Sequence, residues 1–353
     1  MKTYTDYTVA IVCALEFEMS AVRYMLDEEH QSLPRTAGDS NNYILGQLSG
    51  HSTVVAYLPG TQGKSAAAIV ASNLERTFPC IAWRFLTGIG GGVPGDNDIR
   101  LGDVVVSMPE GRHGGVVQYD LGKDLDGSFQ LKGFLSAPSP EMRSAVLRMR
   151  SDHRLEDNKI EQYIFSMLQR GPRLKIYQRP LPATDVSFAS NYQHVPNKKR
   201  TCEDCDQEHH AVERPDREET GSMIHYGLIA SGDRVMRSAI KRNSEVDNLG
   251  DDILCFEMEA AGLSTNLPYL VIRGISDYAD SHKNDAWQHY AAAAAAACTK
   301  EILTYMDQGV SARGSESDNK PNGPRRSGRF KGNGIQHLGS GTFSVGRDIR
   351  IQR

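Results

Sequence analysis

The fold of this chain is decided by two stretches, FEMEAAG at residues 256–262 and LVIRGISDYAD at residues 270–280. In the second stretch, residues 270–272 are apolar and β-rich, which predicts a short buried strand. This strand brings Ser276 and Asp277 to its carboxyl end, where open α/β sheets form their ligand crevice. The sequence therefore predicts an α/β fold with a crevice beside Asp277.

The first stretch places two carboxylates around Met258, immediately before a helix that begins at Ala260. Each acid also has an ordinary interpretation, in which Glu259 caps the helix and Asp277 is a loop acid. For a single aspartate after a single strand, the ordinary interpretation is the better one. The length of the combined pattern favours a site that uses both acids.

Composition limits the classes of protein to consider. The chain has 353 residues, enough for one large domain, and 39% of them are apolar. No apolar run approaches the roughly 20 residues of a membrane span, and the first residues lack a signal-peptide profile. Six scattered cysteines do not form a disulfide framework. We therefore expect a cytoplasmic protein without a membrane partner.

The net charge of −4 is unevenly distributed: residues 311–353 carry +6 and the preceding residues carry −10. An acidic body argues against a nucleic-acid-binding core. The basic tail is rich in Ser, Gly, Arg, Asn and Pro, which is typical of a flexible linker. It ends in two alternating segments, residues 343–345 and 349–351, that predict a short β-forming motif.

The amino-terminal half alternates strands and helices. Residues 9–14 are apolar throughout and predict a central parallel strand. A helix with acids in its first turn follows at residues 15–26, and residues 43–57 predict a β-hairpin. Residues 83–87 predict another strand, followed by a glycine-rich turn at residues 88–95.

Two glycine-rich segments resemble nucleotide-binding motifs without satisfying them. In the first segment, two residues separate Gly60 from the Gly63-Lys64 pair. A P-loop that binds phosphate needs four residues at this place. Gly90, Gly92 and Gly95 match G-x-G-x-x-G, but a dinucleotide fold requires a helix at the last glycine. Pro94 and a predicted strand at residues 103–108 exclude that helix.

The alternation is interrupted at about residues 151–221, which predicts a partly ordered insertion rich in proline and polar side chains. It contains Cys202 and Cys205 in a CxxC pattern, and such a pattern with nearby histidines can hold zinc. Only three residues separate Cys205 from His209, fewer than in usual zinc fingers. We expect reduced thiols and no metal, with a zinc site at Cys202, Cys205 and His209 as the alternative.

The two deciding stretches, together with GTQGKSAAA at residues 60–68, GGVVQYD at residues 114–120 and DYADSHKN at residues 277–284, resemble the purine nucleoside phosphorylase/uridine phosphorylase superfamily. The resemblance is to its branch near the methylthioadenosine/adenosylhomocysteine nucleosidases and to fungal immune-receptor domains. It implies a nucleoside phosphorylase-like three-layer fold, with a twisted mixed sheet flanked by helices. It also implies cleavage of an N-glycosidic bond, no cofactor and a homo-oligomer. The domains expected are residues 1–310, including the insertion, and the tail at residues 311–353.

The resemblance also implies roles for particular residues. The bond breaks through an oxocarbenium-like ribosyl cation, so Asp277, kept protonated by burial, would donate a proton to N7 of the leaving purine. Glu18 matches the acid that activates water in the family, and Glu259 would bind the ribose hydroxyls. Val235 stands where the nucleosidases have an aromatic residue, so only an apolar contact is expected there. The residues assigned to ribose and base are Glu259, Met258, Ser276, Gly88, Ile89, Gly90, Val235 and Met236.

Sequence also bears on the nucleophile and the substrate. Phosphorylases of this fold place an arginine and a serine or threonine where this chain has Leu86 and Ile89, neither of which can hold phosphate. Glu18 would also repel an incoming anion, so we expect hydrolysis, with phosphorolysis as the alternative. An adenine nucleotide is favoured, as in ATP nucleosidases, with a role as an immune or cell-death effector. The candidate phosphate-binding residues are Lys64, Arg112, His113, His282 and Lys283.

A hypothesis of another class is a non-catalytic nucleotide sensor or interaction domain, with the tail as the assembling segment. The three acids Glu18, Glu259 and Asp277 favour the enzyme. The expected partner is therefore a small-molecule purine nucleotide or nucleoside.

Overall fold

The computed structural model describes residues 2–126, 128–197, 201–217, 221–250, 252–263 and 267–308. The strands are β1 (Val9–Cys13), β2 (Glu28–Glu29), β3 (Tyr43–Leu48), β4 (His51–Tyr57), β5 (Trp83–Gly92), β6 (Val104–Ser107), β7 (Val116–Gln118), β8 (Gly122–Leu125), β9 (Ser128–Leu131), β10 (Ile224–Ser231), β11 (Ile253–Glu257) and β12 (Leu270–Asp277). The α-helices are α1 (Glu16–Met25), α2 (Lys64–Thr77), α3 (Pro140–Asp152), α4 (Ile160–Leu168), α5 (Gln207–His210), α6 (Ala239–Leu249), α7 (Ala260–Leu263) and α8 (Gln288–Thr304). None of the helices in these ranges is long and apolar enough to cross a membrane. The predictions made for the tail lie outside the described residues.

A mixed ten-stranded sheet organises the fold. Its order is β11-β10-β6-β12-β5-β1-β4-β3-β2, with β7 paired to β10. β1 lies between β4 and β5, is parallel to both, and is buried along its whole length, as its apolar sequence predicts. β12 lies parallel to β5 on the other side of that strand. The carboxyl ends of β1, β5 and β12 therefore meet at one edge of the sheet.

The glycine-rich segment after Thr87 is part of β5, so the predicted turn is wrong. Gly88 to Gly91 pair with residues 273–277 of β12 and continue the parallel ladder. Glycine is needed here because neighbouring side chains approach the strand closely. A Cβ on Gly88 would collide with Arg273 and Glu18.

The alanine-rich helix α8 covers the centre of the sheet. Residues 291–297 are seven consecutive alanines and are all buried, so this part of α8 belongs to the core. A Cβ on Gly274 in β12 would collide with the backbone carbonyl of Ala291. The strand and the helix can approach this closely only because both present small residues at the contact.

The segment predicted as an insertion packs on α1 and α8 where the structure describes it. The Glu301 carboxylate in α8 accepts hydrogen bonds from His153 Nε2 and from the backbone N–H of Lys159, both at 3.0 Å. The Tyr177 hydroxyl donates to the carbonyl of Phe17 in α1 (2.9 Å). Two short 3₁₀ turns follow α4, at Pro172–Tyr177 and Pro182–Thr184.

Candidate active site

A cleft lies at the edge where β1, β5 and β12 end. Its walls include Glu18 in the first turn of α1, Glu259 just after β11, and Asp277 at the end of β12. The three acids singled out from the sequence are thus brought to one place.

Glu18 is buried, and backbone N–H groups hold both of its carboxylate oxygens. Oε2 accepts hydrogen bonds from Ala14 (2.9 Å) and Leu15 (2.8 Å), and Oε1 accepts one from Ile89 (2.7 Å). Burial raises the pKa of Glu18, although Arg273 and these N–H groups oppose the rise. The carboxylate is therefore fixed in position and is a stronger base than an exposed glutamate.

Arg273 is the cation that allows several glutamates to be buried together. It lies in the middle of β12 with 1% of its surface exposed. Its Nη2 contacts the carboxylate of Glu257 and, at 3.3 Å, that of Glu259. Such partners are necessary because a buried charge without them is strongly destabilising. We refer to Glu18, Glu257, Glu259 and Arg273 as the glutamate cluster.

Glu259 is the member of the cluster that titrates near neutral pH. Burial raises its pKa to about 7, with Arg273 lowering it and the carboxylates of Glu257 and Glu18 raising it. Its Oε1 accepts a hydrogen bond from the N–H of Gly63, in the turn that opens α2 (3.2 Å). Glu257 is occupied by Arg273 and by the first N–H groups of α7. Glu259 is therefore the glutamate better placed to bind a ligand.

Asp277 is almost completely buried, with 4% of its surface exposed. Its Oδ2 accepts hydrogen bonds from the Ser276 hydroxyl (2.8 Å) and from the Lys283 ammonium (2.5 Å). Its Oδ1 accepts one from the N–H of Ala279 (2.9 Å). The carboxyl group thus has one partner that is partly exposed, the Lys283 ammonium, and two partners in the adjoining residues 276 and 279.

The residues predicted to contact ribose and base line the cleft beside the acids, with the exception of Gly88. The cleft-lining members of this set are Ile89, Gly90, Val235, Met236, Met258 and Ser276. Gly88 lies behind the wall, where it makes room for the glutamate cluster. Phe256 also lines the cleft, and its ring packs edge-on against Tyr119.

Of the five candidate phosphate-binding residues, Lys283 alone lines the cleft among the residues described. The Lys64 ammonium instead contacts both oxygens of Asp120 at 2.7 Å and one of Asp233 at 3.4 Å. The prediction that Lys64 binds phosphate did not anticipate these two acids, which are distant from it in the sequence. The turn that contains Gly63 contacts the site through the backbone N–H of Gly63, which donates a hydrogen bond to Glu259.

The other three candidates also lie outside the cleft lining. Arg112 and His113 contact each other, with Arg112 Nε 3.3 Å from His113 Nε2. His282 is buried and stacks on the ring of Phe188, with centroids 4.0 Å apart. The positions of these residues in the sequence, near a glycine-rich loop or after the strand at residues 270–277, therefore did not show whether their side chains line the cleft.

The alternative zinc set of Cys202, Cys205 and His209 is not assembled. His209 is largely exposed, and its Nδ1 contacts the carboxylate of Asp206 at 2.9 Å. The histidine that lies beside the two thiols is His194, which precedes them in the chain.

The sequence reasoning missed Arg273, although a signal was present. It is the one charged residue in the otherwise uncharged strand segment 270–276, and a charge buried there requires carboxylate partners. It also missed three polar residues that line the cleft, Gln62, Arg234 and Gln288. Gln62 and Arg234 lie in loops, and Gln288 is the first residue of α8. The sequence pattern at these positions did not indicate that their side chains line a cleft.

Comparison with known proteins identifies the relatives, although no family model matches the chain. A nucleotide-binding leucine-rich repeat (NLR)-like protein of Hyaloscypha variabilis is 37% identical over 300 residues, which cover 84% of this chain and 29% of that protein. The chain therefore spans less than a third of this relative's length. A 5′-methylthioadenosine/S-adenosylhomocysteine nucleosidase of Mycobacterium bovis is 24% identical over 313 residues, covering 85% of this chain and 96% of the nucleosidase. The ATP nucleosidase Cap17 of Escherichia coli is 34% identical over 90 residues, covering 24% of this chain and 18% of Cap17.

Solved structures agree with these relatives. The 5′-methylthioadenosine/S-adenosylhomocysteine nucleosidase of Neisseria meningitidis, in complex with methylthio-immucillin-A, has a TM-score of 0.54 at 19% identity. The match covers 85% of this chain and 99% of that structure, which confirms the predicted fold class. By its fold the chain is similar to the 5′-methylthioadenosine/S-adenosylhomocysteine nucleosidases, and its sequence aligns with one of them over almost that relative's whole length.

Proposed function

We propose that this chain is a purine N-glycosidase that hydrolyses an adenine nucleotide or nucleoside and releases adenine. The observation that carries the proposal is that Glu18, Glu259 and Asp277, all buried, line one cleft. The nucleosidases among its relatives and structural neighbours support an N-glycosyl hydrolase. The reaction must neutralise a leaving purine, stabilise a cationic sugar and activate water, and the three acids divide these tasks.

Asp277 acts on the leaving base. The electron pair of the broken glycosidic bond moves into the purine, and Asp277 supplies the proton that neutralises it at N7. The Ser276 hydroxyl and the Ala279 N–H orient the carboxyl group. Lys283 pairs with the same group, so the incoming adenine displaces the ammonium, and the Asp277 carboxylate takes up a proton from solvent water, which it then donates to N7.

Glu259 acts on the sugar. Its two carboxylate oxygens match the spacing of the vicinal ribose hydroxyls, and Arg273 fixes its orientation from behind. The negative charge of the glutamate cluster also faces the positive charge that develops on the sugar ring. Because the side chains are buried and hydrogen-bonded before substrate arrives, little reorganisation is needed during the reaction.

Glu18 acts on the nucleophile. Water attacks the anomeric carbon and passes a proton to Glu18, whose raised pKa suits a general base. Phosphorolysis is the alternative, and two observations disfavour it. Leu86 is buried and apolar, and Ile89 offers only its backbone N–H, which Glu18 already occupies.

An adenine nucleotide is the proposed substrate. Lys283 and Arg234 both line the cleft, and Arg234 is largely exposed while pairing with Glu245 (3.0 Å). Two cations at the mouth suit the 5′ phosphates of a nucleotide. The match to the ATP nucleosidase Cap17 supports the same substrate class.

The cellular role is also part of the proposal. Because an NLR-like protein aligns over 84% of this chain, we place the domain in an immune or cell-death protein in the cytoplasm. The six cysteines are all unpaired, which suits a reducing compartment. Ile69 and Phe134 are exposed and offer apolar surface for a homo-oligomer, which light scattering on the full chain would detect.

Product analysis tests the function. The purified chain is incubated with ATP, AMP, adenosine or methylthioadenosine, with and without inorganic phosphate, and the products are separated by chromatography. We expect free adenine from a nucleotide, independent of phosphate, and its loss in Asp277→Ala. Asp124→Ala, a change at an exposed acid outside the cleft, serves as the control.

Two results would contradict the proposal in different ways. A phosphate-dependent rate that yields ribose 1-phosphate would identify a phosphorylase. Absence of adenine from all four compounds would favour a nucleotide sensor or an interaction domain.

A further inference from the structure

Three metal-ligating side chains meet in the segment between α4 and β10, outside the glutamate cluster. The ligand atoms of His194, Cys202 and Cys205 all lie within 4.8 Å of one another. Two thiolates and one imidazole are preferred zinc ligands, and in a tetrahedral zinc site their donor atoms lie about 3.5–3.8 Å apart. Small side-chain adjustments therefore suffice to bring the three groups onto one ion.

The hydrogen bonding of His194 suits a metal ligand. Its Nε2 lies 3.1 Å from the carbonyl of Thr201, which can only accept, so Nε2 carries the proton. The lone pair is then on Nδ1, the nitrogen that can bind a metal. Donation from the other nitrogen to a backbone carbonyl is the usual support of a metal-bound histidine. Asn197 fixes that carbonyl with a second hydrogen bond (2.8 Å).

A second, independent observation concerns His282. It is 6% exposed, and neither ring nitrogen has a hydrogen-bond partner among the described residues. Its Nδ1 lies 3.6 Å from Asp280 Oδ2, too far for a hydrogen bond. A buried polar ring without a partner is costly, and a metal ion would remove that cost.

The ring of His282 lies next to these three side chains and has to move inward to reach the same ion, because the set whose ligand atoms all lie within 4.8 Å of one another does not include it. Its ring centroid is 5.7 Å from that of His194, with 68° between the ring planes. Two imidazoles on one tetrahedral zinc have centroids about 5 Å apart, given zinc–nitrogen bonds of about 2 Å. Cys202 Sγ lies 3.7 Å from the backbone carbonyl of His282, so the loop is already in contact with the thiols.

We propose that His194, Cys202 and Cys205, with His282 as the fourth ligand, bind one zinc ion. The ion ties the segment between α4 and β10 to the loop that follows β12 and carries Lys283. The proposed zinc site replaces the expectation of metal-free thiols. It differs from the alternative zinc set because its histidines are His194 and His282 instead of His209. The site is structural, because four protein ligands leave no open position, and it does not depend on the proposed function.

Metal analysis of the full chain tests the proposal. The chain, with any purification tag removed, is measured by inductively coupled plasma mass spectrometry. We expect about one zinc per chain, lost in the double variant Cys202→Ser/Cys205→Ser. Cys80→Ser and His209→Ala are the matched controls and keep the metal.

Two further measurements do not depend on how the cysteine variants fold. Cobalt added to chelator-treated wild-type chain should give the thiolate charge-transfer and visible bands of a tetrahedral site. His282→Ala should weaken zinc binding at least about tenfold; unchanged affinity would remove His282 from the ligand set. A wild-type chain that takes up neither zinc nor cobalt, or that is isolated with a Cys202–Cys205 disulfide, would overturn the proposal.

Discussion

The two ends of the candidate active site are built differently. At the sugar end, the glutamate cluster is fixed: backbone N–H groups hold Glu18, and Arg273 is enclosed by carboxylates with 1% of its surface exposed. At the base end, Asp277 pairs with Lys283, whose side chain is 24% exposed and belongs to the loop after β12. The glutamate cluster is thus held by buried contacts, whereas Asp277 pairs with a lysine that is partly exposed to solvent.

This difference corresponds to the chemistry proposed at each end. A sugar that becomes cationic is stabilised best by charges that are in place before the reaction. A leaving base needs a proton at one moment, which requires a carboxyl group whose charge can change. The fixed end therefore contributes electrostatic preorganisation, and the exchangeable ion pair contributes proton transfer.

The largest effect is expected from removing the proton donor. Asp277→Asn keeps the shape of the side chain, but its amide cannot donate the required proton, so kcat for adenine release should fall by about 10²–10⁴-fold. KM should change little, because the sugar end is intact. The assay is initial-rate adenine release, with Asp124→Asn as the control. A loss smaller than tenfold would contradict the assignment.

The next largest effect is on stability, at the rigid end. Arg273→Met leaves three buried carboxylates without a cation, which should lower the free energy of unfolding by about 3–5 kcal/mol. Arg23→Met is the matched control, because Arg23 makes a two-bond pair with Glu29 on the surface. Its loss should cost about 0–1 kcal/mol. Both free energies of unfolding are measured by urea denaturation. Equal losses in the two variants would contradict the claim that Arg273 stabilises the buried glutamates.

A smaller effect is expected from the exchangeable partner. Once adenine displaces Lys283 from Asp277, its ammonium is available to the substrate phosphates. Lys283→Met should therefore lower kcat/KM for both substrates, and the loss with ATP should be about tenfold larger than the loss with adenosine. A tenfold difference is what the loss of one charge-assisted hydrogen bond to a phosphate would cause. Arg112→Met, outside the cleft lining, should leave that ratio unchanged. Equal losses with both substrates would restrict Lys283 to a role at Asp277.

The smallest effect is a pH dependence at the rigid end. Burial raises the pKa of Glu259 from its ordinary value of 4.5 to about 7 in the folded chain. Its contribution to stability is therefore complete below pH 4.5 and is lost as the pH rises through about 7. The melting temperature of the wild-type chain should fall more between about pH 5 and about pH 8 than that of Glu259→Gln. Parallel curves would show that Glu259 does not titrate in this range.

The sequence predicted those parts of the fold and site that local patterns encode. The apolar run of β1 and the two deciding stretches indicated strands of the sheet and two acids that line the cleft, Glu259 and Asp277, and the resemblance to the family added Glu18. The sequence could not place side chains whose partners are remote. Lys64 was predicted to bind phosphate, yet Asp120 and Asp233, 56 and 169 residues away, accept hydrogen bonds from its ammonium and its backbone N–H.

Remote partners also explain the other differences. The histidine beside Cys202 is His194 and not His209, and its Nε2 lies 3.1 Å from the carbonyl of Thr201. The glycines after Thr87 form a strand because β12 pairs with them, which no local propensity reveals. Arg273 was the exception, since a lone charge within an apolar strand is itself a signal of a buried partner.

The central claim, that Asp277 protonates N7 of the leaving purine, is tested most directly by crossing Asp277→Asn with a substrate that lacks N7. The substrate is the 7-deaza form of the adenine nucleotide that the wild-type chain cleaves, and the measurement is kcat/KM for base release. If Asp277 acts at N7, either change alone slows release strongly, and the two together slow it no further. If the two losses multiply as independent effects, Asp277 does not donate its proton to N7 and the account is contradicted.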